Sequence, residues 1–185
     1  MARLNRWTYR GSMPELIAPD VALQKSWLES ADEWGAETQH GSGITDTYDL
    51  QSPEGFAAWV AYLRAQSDDS AELPAGRVHG TYWWIVEGGE YLGSITLRHT
   101  LTEKLLDGGG HIGYGVRPSA RGRGLAAWAL DEVVIRAGER GLERVMVSCD
   151  VGNVASAKTI ERAGGVLEDV RETWLGPTRR YWIAT

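Results

Sequence analysis

Residues 110–137, GHIGYGVRPSARGRGLAAWALDEVVIRA, place a short strand, a glycine turn and a long amphipathic helix in immediate succession. The apolar run His111–Val116 reads as the strand. Pro118, Arg121, Gly122, Arg123 and Gly124 form the turn. A helix follows over about Gly124–Arg140, with Leu130, Val133, Val134 and Ala137 on one face. Glycines at such a turn let the backbone approach a ligand closely, and a new helix leaves its first N–H groups unpaired. With the helix dipole behind them, those donors suit a phosphate or pyrophosphate.

The rest of the chain bounds the setting. At 185 residues it is most simply one domain, read here as a lead-in over 1–13 and a single unit over 14–185. A formal net charge of −6 argues against a nucleic-acid partner held by bulk electrostatics. The one cysteine, Cys149, forbids an internal disulfide, ends an apolar run and reads as a buried small hydrophobe. The first residues lack the apolar core of a signal peptide, and no run approaches the ~18 apolar residues of a spanning helix. A cytoplasmic protein with no membrane partner is the expectation. No His, Cys and Asp cluster has metal-ligand spacing, so no metal is expected.

Pattern predicts a mixed α/β fold. A first strand falls at Leu16–Ala18, and Asp20 caps a helix reaching about Trp34. Residues 35–52 read as a loop, with a second helix over Phe56–Ala65 and Pro53 in its first turn. Tyr82–Val86 and Tyr91–Leu97 form a hairpin through Glu87-Gly88-Gly89-Glu90, and 99–110 reads as a loop. After the glycine turn come a strand at Arg144–Cys149, a helix at Asn153–Ala163, and strands at Val166–Glu172 and Arg180–Ala184.

Four readings of the turn compete. A triphosphate loop lacks its GxxxxGK[ST] pattern. A dinucleotide fingerprint fits Gly122-Arg123-Gly124-Leu125-Ala126-Ala127 only loosely, because Pro118-Ser119-Ala120-Arg121 intervenes after the strand. A turn with no ligand is the third. The fourth is a coenzyme A cradle: Val116-Arg117-Pro118-Ser119-Ala120-Arg121-Gly122-Arg123-Gly124-Leu125-Ala126 resembles the V-x-P-x-x-R-G-x-G-x-A signature of the GNAT superfamily of N-acetyltransferases. Asp150, Asn153, Ser156, Glu161 and Gly164 resemble that superfamily's second motif. The phrases ITLRH, GGHIGYGVRP and RRYWI resemble a bacterial subgroup known only as predicted acetyltransferases.

That resemblance implies a GNAT fold from about residue 15 onward. It has a mixed sheet of six to seven strands, about four flanking helices, and a splay between the strands at 111–116 and 144–149. It implies acetyl-CoA as co-substrate, with pantetheine along Tyr114, Gly115 and Val116. The pyrophosphate would sit on Arg121, Gly122, Arg123, Gly124, Leu125 and Ala126, and the pantetheine arm would meet Asn153 and Ser156. It implies direct attack by a primary amine of a small molecule or a protein N-terminus. Many relatives place an acidic tyrosine seven residues after the motif asparagine, where this chain has Ile160. Ser156 is the replacement expected here, with Tyr181 a further option. His111 is the first candidate base. His99 follows, then Glu103, Asp150 or a chain of waters. Acceptor recognition is expected from residues 20–52, the 99–110 loop and strand edges, with Glu33, Tyr82, Trp83, His99 and Trp174 as candidates. A homodimer is an assembly common in the superfamily. A non-catalytic CoA-binding module is the competing class.

Overall fold

β-Rich runs and glycine turns set most of the architecture. The structure, a computed structural model, describes residues 12–73 and 76–185, so the expected lead-in lies outside the described residues except for Ser12 and Met13. The strands are β1 (Glu15–Ile17), β2 (Gly80–Glu87), β3 (Glu90–Arg98), β4 (Ile112–Val116), β5 (Arg144–Asp150), β6 (Val166–Thr173) and β7 (Gly176–Ala184). They form one sheet in the order β1-β2-β3-β4-β5-β7-β6. All neighbours are antiparallel except β4 and β5. That parallel pair is what the strand–turn–helix–strand order requires, since a parallel neighbour needs a crossover.

The helices are α1 (Gln24–Trp34), α2 (Pro53–Ala65), α3 (Glu103–Asp107), α4 (Leu125–Glu139) and α5 (Val154–Arg162). Asp20 caps a 3₁₀ turn ahead of α1 through the Ala22 N–H, and Ser52 caps α2 through the Gly55 N–H. One expectation needs correcting. The segment 99–110 is not all loop, because Thr102 accepts from the Leu105 N–H and starts α3. The turn is too short for any periodic signal.

The sheet buries a different core on each face. Ile95, Leu97, Ile112, Val116 and Val147 pack with Leu125, Leu130 and Val133 of α4 and Ile160 of α5. On the other face Trp84, Val86 and Tyr91 meet Trp27 of α1 and Phe56 and Trp59 of α2, with edge-on aromatic contacts such as Trp84–Tyr91 at 5.2 Å between centroids. Such contacts add to the burial of large apolar area. The helices thus sandwich the sheet.

Candidate functional site

β4 and β5 share a single register pair, Ile112 with Val147, beside a 2.7 Å bond from the His111 N–H to the Met146 carbonyl. Beyond it β4 stays laddered to β3 through Val116, while β5 follows β7 along its length. The two strands therefore part, and the edge of β4 that faces β5 runs on without a strand partner, its Val116 carbonyl accepting from Arg121 Nε at 3.2 Å. The gap opens into a cleft of about 1470 Å³.

At the far end of β4 the chain turns through Gly122 (φ 77°) and Gly124 (φ 83°), a backbone region that side-chain-bearing residues rarely enter. A Cβ on Gly122 would meet nothing within 4 Å, so the turn faces open space. Among the described residues no acceptor takes the N–H groups of Gly122, Arg123, Gly124, Leu125 or Ala126, and α4 has no side-chain cap. They form a concave set of donors at a helix start, a good fit to a pyrophosphate. The neighbouring cations are already paired, Arg121 with Glu37 at 2.9 Å and Arg123 with Glu87 at 2.6 Å. Anion binding here rests first on the backbone.

Across the gap, Asn153 caps α5 by accepting from the Ser156 N–H at 3.0 Å. The Ser156 hydroxyl lies 2.8 Å from the Tyr114 hydroxyl. Ile160 is fully buried in the core. A phenol thus reaches the serine from β4, whereas the helical position seven residues after Asn153 is apolar. Burial pushes the Tyr114 phenol up to about 12, with the Ser156 bond pulling weakly the other way. Burial likewise pushes the Cys149 thiol up. Tyr114, Gly115, Val116, the residues Arg121–Ala126, Asn153 and Ser156 all line the one cleft.

Other sequence-predicted residues lie elsewhere. His111 is buried, and its Nδ1 accepts from the Met146 N–H at 2.9 Å. A neutral ring bonded this way carries its proton on Nε2, so it is a donor where a base was expected. Burial and the nearby Arg98 charge depress it to about 4, which keeps it neutral. Tyr181 is buried beneath the sheet and its hydroxyl donates to Glu161 at 3.1 Å. Neither lines the cleft.

Of the acceptor-side candidates, Glu33 ties down the turn before α4. It accepts from Arg117 at 2.6 Å and from the Ser119 N–H at 2.9 Å. Burial pushes its carboxyl up, and these bonds outweigh that and hold it below its usual range. His99 bridges Asp69 at 2.6 Å and Thr81 at 2.9 Å, pinning residues 67–71 to β2. Tyr82 and Trp83 border a separate pocket of about 140 Å³, and Trp83 also stacks under Arg136 at 5.0 Å. Only Trp174 of this set lines the cleft, its indole N–H shared between the Lys104 and Gly108 carbonyls. Asp150 also lines it and accepts from the Gly152 N–H at 2.7 Å.

The cleft contains groups that the sequence reading did not single out for it. His40 lines it from the loop after α1. There Gly41 presses on β4 so closely that a Cβ would lie 2.3 Å from the Gly113 carbonyl oxygen. The φ of 78° at Gly41 sits in the left-handed region as well, so glycine is required twice over. Arg98 lines the cleft from the end of β3.

No curated protein matches the sequence at a significant level. Solved structures of similar fold include the Salmonella typhimurium acetyltransferase that modifies the N-terminal serine of ribosomal protein L7/L12, at 19% identity and TM-score 0.65 over 93% of this chain and 95% of that one. Mycobacterium smegmatis RimJ, solved with CoA-disulfide, is 17% identical with TM-score 0.69 over 93% and 82%. The microcin C7 self-immunity acetyltransferase MccE, solved with acetyl-CoA and AMP, is 14% identical with TM-score 0.66 over 93% and 92%. The family model for the acetyltransferase (GNAT) domain matches residues 4–166, and the chain belongs to that family of acetyltransferases.

Proposed function

We propose that this protein transfers the acetyl group of acetyl-CoA to a primary amine, on a small molecule or a protein N-terminus, by direct attack in a ternary complex. The observation that carries the reading is the free edge of β4 running into open N–H donors at Gly122–Ala126, with Ser156 beside it. When bound, acetyl-CoA supplies an activated thioester. The chain supplies placement. Gly122–Ala126 hold the pyrophosphate, the β4 edge pairs with the pantetheine amides, and Asn153 and Ser156 flank the arm. The likeness to an enzyme acting on a ribosomal N-terminal serine supports a peptide amine within the proposed class.

Proton movements can be assigned by magnitude. A thiol leaves with a pKa of about 8.5, so transfer from a phenol near 12 is uphill by several units. Tyr114 therefore does not protonate the leaving sulfur. It holds the Ser156 hydroxyl, which donates a hydrogen bond to the developing thiolate. Of the histidines, His40 alone lines the cleft among the described residues, and we assign it as the base that takes the ammonium proton. The lone buried Cys149 suits a reducing, cytoplasmic setting, and residues 14–185 act as one domain.

The test is acetyl-CoA turnover across small amines and N-terminal peptides, beside calorimetric binding of acetyl-CoA. Binding with transfer supports the enzyme. Binding without transfer to any amine would identify a CoA-binding module instead.

A further inference from the structure

Arg98 lacks the carboxylate partner that several other arginines of the fold have. Arg117, Arg121, Arg123, Arg140, Arg171 and Arg180 each face a carboxylate within 4.0 Å. Even the buried Arg180 has two, Glu168 and Asp169. Arg98 is part-buried and has no ion-pair partner among the described residues. Its Nη1 donates to the Gly109 carbonyl at 3.1 Å and the Gly110 carbonyl at 2.8 Å. Nε and Nη2 have no acceptor among the described residues. A cation removed from water and left without a counter-charge is costly, and burial already weakens its hold on the proton. The clamp on the two glycines uses one corner of the guanidinium and leaves its other edge free.

Its position gives that edge a direction. Side chains alternate along β3. Ile95 and Leu97 enter the core beneath α4, whereas the Thr96 hydroxyl bonds the Gly41 carbonyl on the opposite face. Arg98 follows the parity of Thr96. It borders the cleft with Gly109, Ser148 and Trp174, at the end where β4 and β5 join, and the Ser148 hydroxyl accepts from the Gly109 N–H at 3.0 Å. Tyr114, Cys149 and Ser156 line the cleft from the α4–α5 side. A donor occupying that side leaves the Arg98 side for the acceptor. The titratable groups near Arg98 are Tyr82 and His111, and the depressed His111 adds no charge.

We infer that Arg98 receives a carboxylate carried by the acceptor, through its free edge at the mouth opposite the acetyl donor, so that favoured substrates are amines bearing a carboxylate near the nucleophile. This rests on the acetyl-transfer reading and adds the substrate's chemical class to it. Arginine presents a planar pair of N–H groups that matches a carboxylate bidentately.

The test compares two dipeptide amides, seryl-aspartate and seryl-asparagine, which differ by one carboxylate. Wild type should acetylate the aspartate peptide with kcat/KM about tenfold or more above the asparagine peptide. Arg98→Gln keeps a donor for the glycine carbonyls. It should bring that ratio to about one. Arg98→Lys should restore part of the preference. Equal rates on both peptides in wild type would overturn the carboxylate site and leave acetyl transfer standing. If neither peptide is acetylated, binding to the CoA-loaded protein decides. Arg98-dependent preference for the aspartate peptide supports the site although transfer fails, and equal binding overturns it.

Discussion

His111→Asn separates a structural histidine from a catalytic one. Asparagine Oδ1 stands near the place of histidine Nδ1, so the 2.9 Å bond from the Met146 N–H survives. What disappears is a group whose pKa falls from 6.5 unfolded to about 4 in the fold, first by burial and second by Arg98. A histidine depressed in this way binds more protons unfolded than folded. Its contribution is therefore complete above 6.5 and is lost as pH falls from 6.5 toward 4. Linkage gives a loss of about 2 kcal/mol near pH 5, and screening by partial solvent access reduces this to about 1.5 kcal/mol. Urea denaturation followed by circular dichroism at about pH 7.5 and pH 5 measures it. His99 is also depressed by burial and acts with the same sign, so the comparison between wild type and variant isolates His111. The variant should lose about 1.5 kcal/mol less than wild type on acidification and keep kcat within a few-fold at neutral pH. Equal acid sensitivity would refute the buried neutral ring. A kcat loss of about a hundredfold would return His111 to the role of base.

Two more predictions concern the chemistry. Ser156→Ala should lower kcat by about tenfold with acetyl-CoA affinity nearly unchanged, and Tyr114→Phe by less, because it removes only the group that orients the serine. An unchanged kcat in Ser156→Ala removes the hydrogen bond to sulfur from the account. His40→Gln should lower kcat/KM by about a hundredfold. A loss under about tenfold would eliminate His40 as the base.

The glycine turn and the Asn153 cap were legible because their signals are local. Gly122 and Gly124 must be glycine where φ is positive, and Asn153 must cap a helix that begins one residue later. The acceptor half depends on register between distant segments. Tyr82 and Trp83 are adjacent on β2, and their side chains pack against the cores on opposite faces of the sheet. His111 reads as a base until the backbone N–H of Met146, from a strand beyond α4, occupies its Nδ1. Tyr114 was expected to act through its backbone, and its hydroxyl meets Ser156 only once α5 folds against the sheet. Arg98 lies in the phrase ITLRH, which resembles the subgroup but assigns the arginine no role. Its lack of a carboxylate partner shows only when the neighbouring loops are in place.

Stoichiometry tests the central claim most directly. Free thiol released from acetyl-CoA and acetylated amine measured by mass spectrometry should rise together, one for one, and neither should appear without the amine. Thiol release that is independent of the amine, or acetyl-CoA bound with no acetylated product from any amine offered, would contradict the account.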